Sequence, residues 1–182
     1  MNGLWNLKDT QNKHLLSIKK NVFRRTDVWL LEVHMSEKIT QAEADKLLNM
    51  LKHSLINEII FPEKGNSTEF NVRGSSTKDI FAIKIYRGRI NHNKYEIGAR
   101  IIKNNVMLLE LHINPGKPHQ NPDGTKLIGS HWHIYTEEYY RSLAFPADDI
   151  QSDDFVNNTI LFLDKFNVID KPTIHYQLEL LP

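Results

Sequence analysis

The sequence predicts an α+β domain, in which two helices pack on one face of a mostly antiparallel sheet of about five to six strands. A capped amphipathic helix opens this segment at Thr40, and a second amphipathic helix begins near Phe155. The residues between them alternate apolar and polar side chains with period two, which is typical of strands with one buried face. Short polar links separate these runs, and links of hairpin length favour antiparallel neighbours.

The first helix has a start signal and one apolar stripe. Thr40-Gln41-Ala42-Glu43 is a capping box, in which the threonine hydroxyl accepts a hydrogen bond from the backbone N–H three residues on. The apolar positions that follow are spaced i, i+3, i+4, i+7 and i+11, and they are Ala44, Leu47, Leu48, Leu51 and Leu55. The pattern predicts a helix that begins at Thr40 and ends before Pro62.

The predicted strands follow in order along the chain. They cover residues 70–72, 81–85, 95–101, 106–113 and 131–136, and a closing strand covers residues 173–180. Residues 106–113 are apolar on both faces at their start, so this strand should be central and covered by a helix. Before the closing strand, a helical stripe predicts the second helix, with Phe155, Thr159, Ile160, Phe162, Leu163 and Phe166.

Composition bounds the domain organisation and excludes several classes of protein. We predict one α+β domain over residues 35–182 and a basic extension over residues 1–34, which contain six basic and three acidic residues. The helix-start signal soon after Met35 also predicts an alternative in which the native polypeptide begins there. The 23 Lys and Arg residues nearly balance the 22 Asp and Glu residues, which gives no bulk attraction to nucleic acid or lipid.

The absence of cysteine excludes disulfides, thiolate nucleophiles and cysteine-containing zinc sites. Apolar runs are too short to span a bilayer, so we expect a cytoplasmic protein without a membrane partner. No pattern matches a catalytic motif whose spacing dictates a reaction, so the sequence leaves open whether the protein is an enzyme.

The segment from His112 to Tyr135 is the part whose residues a core does not explain. It contains four of the nine histidines of the chain. Residues 114–130 form a connection that is long for a compact domain, and Asn121-Pro122-Asp123-Gly124 predicts a turn in it. Alternation on the following strand places His131, His133 and Tyr135 on one face, opposite Trp132 and Ile134. If the indole points into the core, the imidazoles and the phenol face a wetter surface together.

Two catalytic or metal-binding chemistries could use that row of side chains. His131 and His133 are two ligands of a zinc site, for which His112, His119, Asp123 or Glu137 would supply a third ligand. Alternatively, the candidate catalytic residues His119, His131, His133 and Tyr135 would perform metal-independent acid–base cleavage of RNA, in which Lys126, Arg141 or Tyr135 itself holds the phosphate. The first chemistry requires zinc, and the second requires no cofactor.

A third interpretation is a recognition surface for a protein or a ribonucleoprotein. Its residues are of types that anchor interfaces or hold polar ligands, namely Asn121, Asp123, Lys126, Trp132, Tyr139, Tyr140 and Arg141. The structural alternative to all three is that the histidines are half-buried strand residues bonded to loop carbonyl groups.

Residues 39–180 resemble a family of small uncharacterised bacterial and prophage proteins, a domain of unknown function. The resemblance rests on residues 40–45, the strand end Ile85-Tyr86-Arg87-Gly88, and the run Asn114-Pro115, His119, residues 121–124, His131, residues 133–135 and Glu138-Tyr139. It implies an interaction protein of mobile elements with an anti-defence role, for example an inhibitor of a CRISPR nuclease, or else a ribonuclease toxin. It also implies an acidic or neutral residue at position 112, which counts against His112 as a metal ligand.

Overall fold

The computed structural model describes residues 38–91, 93–151 and 153–176. The predicted extension 1–34 and the last residues of the predicted closing strand lie outside this part of the chain. The helices are α1 (Gln41–Asn49) and α2 (Phe155–Lys165). The strands are β1 (Lys52–Ser54), β2 (Glu58–Ile60), β3 (Ser67–Arg73), β4 (Ile80–Arg87), β5 (Tyr95–Ile101), β6 (Met107–Ile113), β7 (His119–Gln120), β8 (Lys126–Leu127), β9 (His131–Ile134), β10 (Ala144–Pro146), β11 (Val168–Asp170) and β12 (Thr173–His175).

One sheet of eight strands dominates the described part of the chain, in the order β10-β9-β6-β5-β4-β3-β1-β11. All neighbours in it are antiparallel except β1 and β11, which are parallel. This confirms the predicted α+β class and the central position of β6, but the predicted number of strands is too small. The missed strands of the sheet, β1, β10 and β11, have three residues each, which is too short for alternation to be recognised.

The core lies between one face of the sheet and the helices. The Trp132 indole stacks on the Phe162 ring of α2 with centroids 6.0 Å apart, and Phe81 meets Phe166 edge-on at 5.4 Å. Ala44 of α1 is fully buried in the same core. Both helices therefore cover apolar sheet residues, as their stripes predict. Neither described helix has the length and apolar character that a membrane crossing requires.

The first helix is shorter than the sequence predicts. Its start is confirmed, because Thr40 Oγ1 accepts a hydrogen bond from Glu43 N at 3.2 Å. It ends at Asn49, however, and the prediction of a helix toward Pro62 is wrong: Leu51 and Leu55 are 55% and 46% exposed. Lys52 instead begins β1, where pairing with β3 and β11 stabilises extended backbone over the local helical pattern.

A small hairpin interrupts the long connection between β6 and β9. The predicted turn is confirmed, since Gly124 has φ +89° and its N–H donates to Asn121 O at 2.9 Å. The connection also contains two short strands that the sequence pattern does not reveal, since β7 and β8 pair on either side of the turn. The Asn121 side chain fixes this hairpin to β10 by donating to Ala144 O at 3.0 Å and accepting from Ala144 N at 2.8 Å.

The closing strand is confirmed as β12 over Thr173–His175. It pairs in parallel with β2 in a separate two-stranded sheet and does not extend the main sheet.

Candidate metal centre

The candidate site lies on the sheet face that points away from the helices. In the register of β6 and β9, His112 is opposite His131 and Glu110 is opposite His133. Trp132, between the two histidines of β9, is buried against α2 on the other face. The predicted orientation of the β9 side chains is therefore confirmed, with the indole inward and both imidazoles on the opposite face.

Three imidazoles converge at this position. One ring nitrogen from each of His112, His131 and His133 can be chosen so that all three lie within 4.8 Å of one another. The ring centroids are 5.0 Å apart for His131 and His133, and His112 lies 5.2 Å and 4.7 Å from these two rings. His119 approaches from the hairpin, with its centroid 5.3 Å from that of His131 and 4.7 Å from that of His133.

The imidazoles of β9 are buried, so the prediction that they face a wetter surface is wrong. His131 is 1% exposed and His133 is 5% exposed. The sequence pattern shows the alternation of the strand, but it does not show that the β7–β8 hairpin carries His119 over the same face. The hairpin converts an outward row of side chains into a closed cluster.

Hydrogen bonds orient two of these rings. His131 Nδ1 lies 2.9 Å from Gly129 O, and His119 Nε2 lies 2.9 Å from Ser142 O. A carbonyl oxygen only accepts, so each of these ring nitrogens must carry the proton. The other nitrogen of each ring, His131 Nε2 or His119 Nδ1, is then the atom that can serve as a metal ligand. This is the arrangement that outer oxygen acceptors impose on histidine ligands of metals.

Within the part of the chain that the structure describes, His133 has no such partner at either ring nitrogen, although both atoms are buried. The pKa of His133 is lowered to about 4, mainly by burial; the nearby histidines also lower it, and Glu110 opposes them. Burial also lowers the pKa of His131. Both rings are therefore neutral near pH 7, which is the form that binds metal ions.

Glu110 is the site residue that the sequence interpretation missed. Its side chain is buried, and Oε1 accepts a hydrogen bond from Arg141 at 2.8 Å, while Oε2 has no hydrogen-bond partner in the described part of the chain. His112 Nε2 lies 3.9 Å from Oε1, which is too far for a hydrogen bond but close enough for a charge interaction. Burial raises the pKa of Glu110, but His112 and Arg141 lower it by more. The missed signal is Glu-x-His in β6, two polar residues in an otherwise apolar strand.

Tyr135 does not join the histidines. It is buried in the core, where its hydroxyl donates to Ile39 O at 2.9 Å and accepts from Ile39 N at 3.3 Å. The prediction that this phenol shares the histidine face is wrong, because β9 ends at Ile134 and the alternation does not continue beyond it. Two predicted third ligands also have other partners: Asp123 accepts from Thr125 N, and Glu137 accepts from Gln41 N.

The predicted recognition residues are dispersed over several environments. Trp132 is in the core and Asn121 is buried against β10, so neither is available as an interface anchor. Tyr140 is partly buried beside Tyr135, with ring centroids 6.1 Å apart. Tyr139 is exposed, as are Asp123, Lys126 and Arg141. Two of the seven predicted recognition residues, Trp132 and Asn121, are therefore removed from the surface, and four are exposed.

Comparison with known proteins identifies a family for this chain. Residues 39–168 match the model of DUF6978, described as a family of unknown function. The match covers most of the chain, so the chain belongs to this family, and the resemblance to an uncharacterised family is confirmed. No curated protein and no solved structure matches the chain.

Proposed function

We propose that this member of the DUF6978 family binds a divalent metal ion, with zinc as the preferred ion, through His112, His131 and His133. The proposal rests on one observation: three imidazoles converge on one buried point, and ring nitrogens there have no hydrogen-bond partner in the described residues 38–91, 93–151 and 153–176. Imidazole is a preferred ligand of zinc, copper, nickel and iron, and these donors do not require a cysteine.

The alternative, histidines that serve only as core residues, leaves an unexplained energetic cost. A buried polar atom without a partner costs about 1–3 kcal/mol, and buried side-chain nitrogens are normally satisfied. His112 Nε2 and both nitrogens of His133 are buried and have no hydrogen-bond partner among the residues that the structure describes. A cation at the centre of the cluster would use lone pairs that no protein donor reaches.

The spacing is compatible with a metal site that contracts on binding. Zinc lies about 2.0–2.1 Å from a histidine nitrogen, so two tetrahedral ligand atoms are about 3.4 Å apart. The three nitrogens lie within 4.8 Å, so each ring would need to move inward by less than about 1 Å. Side-chain rotations of that size do not require the strands to separate.

Metal titration of the full chain tests the proposal. After removal of metal with a chelator, we expect the protein to bind one equivalent of Zn²⁺ or Co²⁺ in calorimetry and in elemental analysis. Alanine at position 112, 131 or 133 should weaken or abolish this binding. His53→Ala and His175→Ala are matched controls, because these exposed histidines pair with Asp170 and Glu58. Well under one equivalent of metal in the wild-type chain would refute the proposal.

The ribonuclease toxin hypothesis remains a prediction. The burial of His131 and His133 gives it less support than the metal site, because a phosphodiester would have to displace the hairpin to reach them. Expression in bacteria tests it: a ribonuclease toxin should arrest growth, and His133→Ala should abolish the arrest. Absence of arrest would exclude this activity.

The mobile-element interaction hypothesis, with its anti-defence role and its cytoplasmic location, also remains a prediction. Its support is the exposure of Tyr139 and of the Arg141 side chain near the site. A pull-down from a host lysate that returns a stoichiometric partner, lost in a Tyr139→Ala variant, would support it. Return of no partner would count against it.

A further inference from the structure

We infer that His119 is a fourth metal ligand, which completes a tetrahedral site of four imidazoles and fastens the β7–β8 hairpin to the sheet. This inference rests on the proposed metal binding and specifies its geometry. It distinguishes a closed site, with all four positions filled by protein, from an open site of three histidines with a bound water.

The spacing of the four imidazole rings supports a fourth ligand. A metal bound at about 2.0–2.1 Å from the nitrogen lies about 3.2 Å from the imidazole centroid. The corners of a tetrahedron are separated by about 1.6 times their distance from its centre, so four such centroids should lie about 5.2 Å apart. Five of the six pairs among the four rings have centroid distances of 4.7, 4.7, 5.0, 5.2 and 5.3 Å. His112 and His119 therefore each lie at about the expected spacing from both His131 and His133. The ring nitrogens that lie within 4.8 Å of one another are those of His112, His131 and His133, so the His119 ring would move inward, toward His112, on metal binding.

The position of His119 is held by contacts that do not involve the other histidines. Its Nε2 donates to Ser142 O at 2.9 Å, which leaves Nδ1 as the nitrogen available to a metal. Two residues further on, Asn121 makes two hydrogen bonds to the backbone of Ala144. These contacts place the ring over β9 in the absence of a metal, so the entropic cost of bringing in a fourth ligand is small.

A closed site has a mechanical consequence. His112 is on β6, His131 and His133 are on β9, and His119 is on the hairpin, so one ion would connect all three segments. The four ligand positions leave no room for a reacting water, so the metal would stabilise structure and not act as a Lewis acid on a substrate. Loss of metal should then loosen the hairpin before the sheet.

The experiment compares the full-length wild-type chain with His119→Ala and His119→Gln, using Co²⁺ absorption and trypsin digestion. Cobalt bound by four imidazoles should give the intense visible bands of tetrahedral coordination. The His119 variants should still bind one equivalent, with affinity reduced about 10- to 100-fold and weaker bands from added water ligands. In the wild-type chain, Zn²⁺ should slow trypsin cleavage after the exposed Lys126 of β8, and this protection should be lost in the variants.

The outcomes separate this inference from the proposed function. Wild-type affinity, absorption and protection in both His119 variants would overturn the fourth ligand, while the metal site of three histidines would stand. Absence of metal binding in the wild-type chain would overturn both. His119→Gln is the variant expected to keep the local fold, since its amide can still donate to Ser142 O. Far-ultraviolet circular dichroism verifies that each variant is folded.

Discussion

His133→Leu should stabilise the metal-free protein while it abolishes metal binding. Leucine has a similar volume and no polar atoms, and in the metal-free chain it would remove two buried nitrogens that lack partners. Each unsatisfied buried group costs about 1–3 kcal/mol. Part of the stability gained by removing these groups is lost again, because leucine does not fill the space of the flat imidazole ring as well. We therefore expect the free energy of unfolding to rise by about 2 kcal/mol, which corresponds to about 4–8 °C in Tm for a chain of this size.

Urea unfolding, followed by tryptophan fluorescence with and without chelator, measures this change. With free Zn²⁺ at about 100 times Kd, the wild-type protein should gain about 2.7 kcal/mol of stability, and His133→Leu should gain none. The difference in free energy of unfolding between the two proteins should therefore disappear or change sign when metal is added. His175→Leu, which changes an exposed histidine, should alter stability by no more than about 0.5 kcal/mol in either condition.

The opposite result would refute this reasoning. If His133→Leu destabilised the chelated protein by more than about 1 kcal/mol, the His133 nitrogens would have favourable partners in the metal-free fold. The histidine would then be an ordinary core residue, and the principal argument for a metal site would be lost. A variant that gained as much stability from zinc as the wild-type protein would also contradict the assignment of His133 as a ligand.

Three further predictions concern residues around the site and the core. Asn121→Ala should cost about 2–3 kcal/mol in urea unfolding and speed trypsin cleavage in the hairpin, because both hydrogen bonds to Ala144 are lost; unchanged cleavage would contradict this. Tyr135→Phe should lower stability by about 1–2 kcal/mol and leave zinc affinity unchanged, since among the described residues its hydroxyl bonds only to Ile39. Weaker zinc binding would indicate that the phenol does contribute to the site. Burial lowers the pKa of Lys52 to about 8, so the folded chain loses this proton near pH 8 and the unfolded chain near pH 10.5. The free energy of unfolding of the wild-type chain should therefore rise between these pH values relative to that of Lys52→Met. A difference between the two proteins that does not change with pH would refute this prediction.

Local sequence rules predicted the elements whose cause is local. The Thr40 cap, the Gly124 turn and the direction of the Trp132 side chain each depend on residues within a few positions, and all three are confirmed. The length of α1 was not predictable in this way. Its apolar stripe continues to Leu55, yet the chain leaves the helix at Asn49. The Lys52 ammonium is fully buried and donates to three backbone carbonyls, which no helical pattern anticipates.

The sequence identified most residues of the candidate site, but it predicted their arrangement in space only in part. His119, His131 and His133 were identified from the sequence, and they do lie together. Glu110 was missed, because its significance depends on the register that sets it opposite His133. Tyr135 was included wrongly, because the strand ends before it.

The sequence by itself determined the fold class, the alternation of β9 and the choice of His119, His131 and His133 as candidate site residues, since periodicity and turn chemistry act over a few residues. Only the tertiary structure decided that the histidine face is buried, that His112 joins it and that the hairpin brings His119 onto it. The physical reason is that burial and convergence depend on which distant segments pack against a surface. Pairing of β6 with β9 and docking of the hairpin on β10 are both long-range contacts.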